Sequence, residues 1–425
     1  MDLKGKRLLL LGGAYNTKDI KEYAEKNGVV LIAVGNNPNH PTFKIADETY
    51  DANVRSAEDL IKIIKDYKID GVFPGGNEDV INILFDVVDE TGIKFYASRE
   101  QWEITGQKRE FKEVAAKAGL PVVPEFKLSA VPTREELDAI EYPVVIKPVD
   151  GMGSQGVYLC QTEEELLEGQ KNALEFSRSK TLMVEKFMSG FITVFYMTVI
   201  DGKIHIASMT DKYSKLSKDD GPKMPTIAQV YLYPSRHLQD CIDRYYPAME
   251  NLLKILKIEN GVVGIQGFCD GKDIVFTEMG YRLGGTSQQN YTKALYGNSN
   301  MFLIMNYALT GKMTDEEYFE NPYFEKECGT VQLISTGGTI AKEEGIDIVK
   351  AMPEVVSFEH HYTVGDTIKV VDNVSMVHYR IFLVADNLDH LKRTIKTIQK
   401  TIKVYDAEGN YMLDEDFDVE RLGKQ

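Results

Sequence analysis

VVIKPVDGMGSQGV, residues 144–157, is the stretch on which the reading of this chain turns. The β-branched run Val144-Val145-Ile146 makes a buried strand that delivers Lys147, and Pro148 ends it. The loop Asp150-Gly151-Met152-Gly153-Ser154-Gln155-Gly156 follows before the next strand. Its closely spaced glycines let backbone N–H groups crowd a phosphate with no Cβ in the way, and let the loop close over a nucleotide. A Walker A loop would need GKS or GKT leading into a helix, and a protein-kinase loop would lack the preceding lysine. Glycine hairpins without a ligand are common turn chemistry, so the flanking sequence has to decide.

Working outward, Lys108 starts the helix predicted over 108–118, where a second cation can reach the same phosphates. MVEKFM, residues 183–188, is an apolar strand ending in Glu185, Lys186, Phe187 and Met188, suited to hold an adenine by backbone edges and apolar packing. GIQGFCDGKDIVFTEMGYRLGG, residues 264–285, puts Gln266 and Glu278 on two strands joined by a turn at Asp270-Gly271, so both side chains can face one cavity. Hard oxygen donors of this kind suit Mg²⁺, which takes one or two protein ligands beside phosphate oxygens and waters.

Residues 6–100 alternate apolar runs with amphipathic stretches, the pattern of an open parallel sheet flanked by helices. Gly12-Gly13 lacks the remaining glycine of a dinucleotide fingerprint. The Gly75-Gly76-Asn77-Glu78 turn lies where ligands of open α/β sheets collect, and reads equally as a helix cap by Asn77 or as a substrate contact through Glu78. Beyond residue 105 the signals become antiparallel, with a tight hairpin turn at Asp201-Gly202. Residues 211–225 carry Lys212, Lys215, Lys218 and Lys223 without strand or helix periodicity, and read as a solvated loop or as a lid meeting anionic groups, with Lys212 the best placed. His205, His378 and the pair His360-His361 show no second ligand at metal spacing and read as surface or core histidines.

A length of 425 residues exceeds one hydrophobic core and fits two or three domains. The formal net charge of -16 argues against nucleic acid, whose binding draws on clustered lysine and arginine. No apolar run is long enough to span a bilayer, and the start of the chain lacks a signal-peptide pattern. Four scattered cysteines make no CxxC pair and suit a reducing compartment, so a cytoplasmic location without membrane partners is expected.

In combination these elements resemble the ATP-grasp superfamily, which includes biotin carboxylase, carbamoyl phosphate synthetase and the carboxylate-amine ligases. The resemblance implies α/β and α+β architecture: a Rossmann-like pre-ATP-grasp domain (1–105), an ATP-grasp domain of two α+β subdomains (106–320) and a small carboxyl-terminal α+β cap (321–425). By similarity, Lys108 and Lys147 would contact the phosphates of ATP, with Gly151, Gly153, Ser154, Gln155 and Gly156 closing over them. Glu185, Lys186, Phe187 and Met188 would line the adenine and ribose pocket. Gln266 and Glu278 would hold Mg²⁺, or Mn²⁺ in its place, and Arg282 would steady an acyl phosphate and its tetrahedral adduct. Glu78, Lys212, Arg282, Gly284 and Gly285 are the candidate substrate contacts, and Arg282 and Lys147 the catalytic pair. Two positions depart from the family pattern. Ile192 stands where a ribose-binding acid is usual, and Gly280 where Glu278-x-Asn-x-Arg would have its asparagine.

The resemblance implies an ADP-forming ligase that activates a carboxylate as an acyl phosphate and joins it to an amine. The GTVQLISTGG start of the last domain looks similar to L-amino acid ligases, which ranks amino acids or peptides first among the substrates. The alternative is an ATP-binding sensor or scaffold without turnover, and a third, kinase-like reading leaves phosphate on the substrate. Family habit suggests a homodimer.

Overall fold

The apolar runs of the first hundred residues become the strands their pattern predicts. A computed structural model describes residues 1–11, 17–37, 39–149, 156–215, 227–371 and 373–424. Strands Arg7–Leu10, Val30–Val34, Glu48–Tyr50 and Gly71–Phe73 pair in parallel, with Arg7–Leu10 between the second and the fourth. A parallel sheet is covered on both faces, so successive residues enter different cores. Leu8, Leu10 and Phe73 pack with Ile20 and Tyr23 on one side, and Leu9, Ile32 and Val72 pack with Leu60, Ile64 and Leu84 on the other. Ser56 caps helix Ala57–Asp66 by accepting from the Asp59 N–H.

An antiparallel sheet follows, in the order Glu125–Phe126, Leu182–Lys186, Val144–Pro148, Tyr158–Cys160. Helix Glu163–Phe176 covers one face, where Leu166 meets Val144, Ile146 and Val184. Gly169 permits that approach, since a Cβ there would stand 3.0 Å from Ile146 Cγ2. Alternation along the strands then sends Val145, Lys147, Met183 and Glu185 to the opposite face.

The largest sheet has eight antiparallel strands in the order Ile274–Gly280, Gly261–Cys269, Phe191–Ile200, Lys203–Ser214, Ala228–Tyr233, Glu327–Ile334, Val377–Ala385, Val355–His360. It runs through residue 320: Ala228–Tyr233 pairs with Glu327–Ile334, so segments on both sides of that residue share one sheet. The turn at Asp201-Gly202 has both residues at positive φ, 48° and 76°, as a two-residue hairpin requires. The turn expected at Asp270-Gly271 is longer, because Asp270 Oδ1 accepts from the Lys272 and Asp273 N–H groups and holds a four-residue loop between Cys269 and Ile274. The expectation that residues 211–225 lack strand character also fails at its start. Asp211 to Ser214 continue a strand and pair with Ala228 to Leu232. Lys218 and Lys223 lie outside the described residues.

All four cysteines are free and buried. Among the described residues no helix is long and apolar enough to cross a membrane.

Candidate functional site

Lys147 leaves its strand on the face away from helix Glu163–Phe176 and meets the Glu185 carboxylate, with which it forms an ion pair. Glu185 Oε1 accepts from Lys112 Nζ at 2.8 Å. The three side chains are nearly enclosed, with exposures of 14% for Lys147, 6% for Lys112 and 5% for Glu185. Burial pushes the Glu185 carboxyl up, but the Lys147 and Lys112 ammoniums outweigh it and hold the group below the usual carboxylate range. Lys112 also lies 3.3 Å from Glu125 Oε2, and Arg109 binds the other oxygen of Glu125 at 2.6 Å, so three cations and two carboxylates leave the cluster one positive charge in excess.

A second cluster stands on the edge hairpin of the large sheet. Gln266 and Glu278 are directly opposite one another in the register, which puts both side chains on one face. Gln266 Nε2 donates to Glu278 Oε1 at 2.9 Å, and Gln266 Oε1 accepts from Lys212 Nζ at 2.7 Å. Burial pulls the Lys212 ammonium down to about 8, against the attraction of Glu278. Lys108 Nζ lies 4.0 Å from Glu278 Oε2. Helix Lys108–Ala118 ties the two clusters together, because Lys108 and Lys112 lie one turn apart on one face and reach Glu278 and Glu185 respectively.

Arg282 is held by Glu78, whose Oε1 accepts from Nε at 2.9 Å and from Nη2 at 2.5 Å. Glu78 opens helix Glu78–Thr91, and Asn77 caps it by accepting from the Asp79 and Val80 N–H groups. The capping reading of that turn holds for Asn77, and Glu78 orients an arginine. Gly76 is required for the contact, since a Cβ there would stand 2.9 Å from the Leu283 carbonyl oxygen. A Cβ on Gly284 would stand 2.8 Å from the Tyr196 ring. The Gly285 carbonyl accepts from Arg380 Nη1 at 2.7 Å, and Arg380 also binds Gln332 and Glu359.

Gly151, Gly153, Ser154 and Gln155 lie outside the described residues, as do Gly12 and Gly13. Gly156 has φ +71° and sits 2.8 Å, by its virtual Cβ, from Phe176. The Lys186 ammonium turns outward to Glu141 at 3.0 Å, and the backbone N–H groups of Lys186 and Phe187 bind the carbonyls of Pro124 and Pro143. Ile192 pairs with Lys212 and Phe268 in the sheet. Among the described residues nothing lies within 4 Å of a Cβ placed on Gly280. A cavity of about 760 Å³ opens between helices Lys108–Ala118 and Glu163–Phe176, lined by Lys112, Leu128, Gln170 and Val184 but by none of Lys108, Lys147, Gln266 or Glu278.

The reading of the histidines needs correction. His360 and His378 do have a common partner, Glu343, 17 and 35 residues away in sequence. Strand pairing, not local spacing, brings the three together. Sequence reasoning also missed Lys112, for which a signal existed in its one-turn spacing from Lys108 on a helix. It missed Arg380 and Glu359, for which no local signal exists.

The family model for the carbamoyl-phosphate synthase L chain ATP-binding domain matches residues 107–220, the stretch that carries Lys108, Lys112, Lys147, Glu185 and Lys212. A formate-dependent phosphoribosylglycinamide formyltransferase from Prochlorococcus marinus is 26% identical over 298 residues, which cover 65% of this chain and 70% of that protein. The crystal structure of an L-amino acid ligase from Bacillus licheniformis superposes with a TM-score of 0.74 at 19% identity, over 94% of this chain and 98% of that one. The biotin carboxylase domain of a Hydrogenobacter thermophilus 2-oxoglutarate carboxylase, a dimer in complex with MgADP, ADP and bicarbonate, gives a TM-score of 0.75 at 18% identity, over 96% and 91% of the two chains. The family model falls on the lysine-bearing segment and the fold likeness extends over nearly the whole length: residues 107–220 are similar to the ATP-binding domain of the carbamoyl-phosphate synthase L chain, within a fold shared with an L-amino acid ligase and a biotin carboxylase.

Proposed function

We propose that this chain is an ADP-forming ATP-grasp carboxylate-amine ligase that uses Lys108 and Lys147 to hold ATP, Gln266 and Glu278 to hold Mg²⁺, and an amino acid or peptide as its carboxylate substrate. The observation that carries the reading is the single helix whose Lys108 and Lys112 reach the Glu278 and Glu185 carboxylates, joining a cationic cluster to an oxygen-donor pair. The residues fit the ligands. Glu278 and Gln266 are hard oxygen donors in register, and the ammonium of Lys212 already occupies the amide oxygen that a divalent cation would take.

Bound MgATP supplies the phosphoryl group that turns the carboxylate into an acyl phosphate. The chain's own residues do the rest. The excess charge of the Lys112–Glu185–Lys147 cluster neutralises phosphate oxygens, and Lys108 adds a second cation from the helix start. Arg282, fixed by Glu78, presents its remaining guanidinium N–H groups where negative charge develops on the acyl carbonyl. The backbone of Gly284 and Gly285 lies beside it without side chains in the way. Lys212, whose ammonium titrates near 8, adds a positive charge beside Gln266 and Glu278 that is present below that pH.

The test incubates the protein with ATP, Mg²⁺ and pooled carboxylic and amino acids, quantifies ADP and phosphate, and identifies products by mass spectrometry, with Lys147→Ala as control. Equimolar ADP, phosphate and an amide are expected, and the variant should make none. ATP binding with no ADP from any acceptor would instead support a sensor, the reading that the bare Gly280 position favours. A phosphorylated product without free phosphate would support the kinase-like one.

A further inference from the structure

Glu343, His360 and His378 have no part in the site above. They come from three strands, Lys342–Glu344, Val355–His360 and Val377–Ala385. Glu343 Oε1 lies 2.7 Å from His360 Nε2 and 2.9 Å from His378 Nε2, and the Tyr379 hydroxyl donates to the same oxygen. One ligand atom from each of the glutamate and the two histidines lies within 4.8 Å of the others. Neighbouring residues of a regular strand face opposite ways, so His378 and Tyr379 should not both reach one carboxylate. The register shows how they do. Leu333 pairs with Tyr379 and Ile334 with Val377, which leaves His378 as the extra residue of a β-bulge. Bulges re-aim side chains, and here the His378 and Tyr379 rings come to 4.2 Å between centroids. The His378 side chain is fully enclosed, Glu343 is 8% exposed and His360 is 22% exposed, so access is from the His360 side.

We propose that Glu343, His360 and His378 form a binding site for one divalent transition-metal ion of the Zn²⁺ type, with the Tyr379 hydroxyl or a water as fourth ligand. Two imidazoles and a carboxylate are the ligand set of that ion class, whereas Mg²⁺ and Ca²⁺ take oxygens. Bonds of about 2.0–2.1 Å in a tetrahedral shell place ligand atoms about 3.3 Å apart. The two Nε2 atoms therefore have to withdraw from Glu343 by about half an ångström, a movement within side-chain rotation. Ligation through Nε2 moves the His378 proton to Nδ1, which is buried and has no hydrogen-bond partner among the described residues. A missing outer partner costs roughly 10–100-fold in metal affinity, so the site is weaker than a zinc-finger site.

The ion would tie the small sheet of Lys342–Glu344 and Lys403–Tyr405 to the last two strands of the large one. Those two strands also carry Glu359 and Arg380, the pair that reaches toward Gly285 at the ligase site. The bound ion thus braces the strands behind Arg380.

The test uses the full chain, stripped by chelator and kept in saturating Mg²⁺ so that Glu278 is occupied. Zn²⁺ is titrated in competition with a chromophoric chelator, and Co²⁺ is followed by its visible absorption. One Zn²⁺ per chain is expected, together with Co²⁺ bands of a four-coordinate nitrogen and oxygen shell. His360→Gln, at the accessible edge, should weaken binding at least tenfold and remove the Co²⁺ bands while its metal-free melting curve stays unchanged. Glu343→Gln serves as a second variant. Absence of a Zn²⁺ equivalent in the parent chain, or binding by both variants equal to the parent, overturns the proposal. No ATP or acceptor enters the measurement, so its outcome is independent of the ligase reading.

Discussion

Replacing Lys112 and Lys147 by methionine, singly and together, measures how charge is held beneath the proposed phosphate site. Glu185 is buried and receives Lys112 at 2.8 Å on one oxygen and Lys147 on the other. Either single variant leaves Glu185 one ammonium, and at about 3 Å in a medium of effective dielectric about 20 that ammonium is worth on the order of 5 kcal/mol before desolvation. Each single change should therefore cost only about 1–2 kcal/mol, the scale of a buried polar rearrangement. The double variant strands a buried carboxylate, which costs roughly 3–5 kcal/mol beyond the sum of the two. Urea unfolding of the four proteins at pH 7.5 closes the double-mutant cycle. The excess has a sign in pH. With both lysines gone burial raises the Glu185 carboxyl, so the penalty is full above that raised value and shrinks as pH falls toward the unfolded carboxylate range. Titration of ATP should show a loss of tenfold or more for Lys147→Met and a smaller loss for Lys112→Met. Stability losses that add within about 0.5 kcal/mol would refute the shared-carboxylate picture.

Burial raises the Glu320 carboxyl to about 7, against hydrogen bonds from Tyr318 at 2.7 Å and Thr198 at 3.3 Å. The folded chain then binds this proton more tightly than the unfolded one, so stability should fall by on the order of 2–3 kcal/mol between pH 5 and pH 8. Glu320→Gln should flatten that component in unfolding curves, and an unchanged slope would refute it. If the Lys212 ammonium serves turnover, kcat/KM should decline above about pH 8, where that group loses its proton. Lys212→Arg should carry the decline beyond pH 9, and a limb that stays in place points to another group. Gly280 lies two residues from Glu278 on the same strand face, and its virtual Cβ meets none of the described residues within 4 Å. Gly280→Asn should add an oxygen donor and lower the Mg²⁺ concentration for half-maximal ADP release several-fold; a higher requirement would show that the space serves a substrate instead.

The sequence by itself determined whatever depends on short spacing. The alternating runs before residue 100 specify a parallel sheet because each core takes every second side chain. Gln266 and Glu278 could be placed together because they are 12 residues apart across one hairpin. Tertiary structure alone decided the contacts between distant strands. Lys112 meets Glu185 across 73 residues and Arg380 meets Gly285 across 95. The Glu343, His360 and His378 cluster depends on a bulge that no local pattern announces. A one-residue shift of register reverses every side chain of a strand. Which polar groups converge is therefore fixed by the pairing of strands brought together from far along the chain.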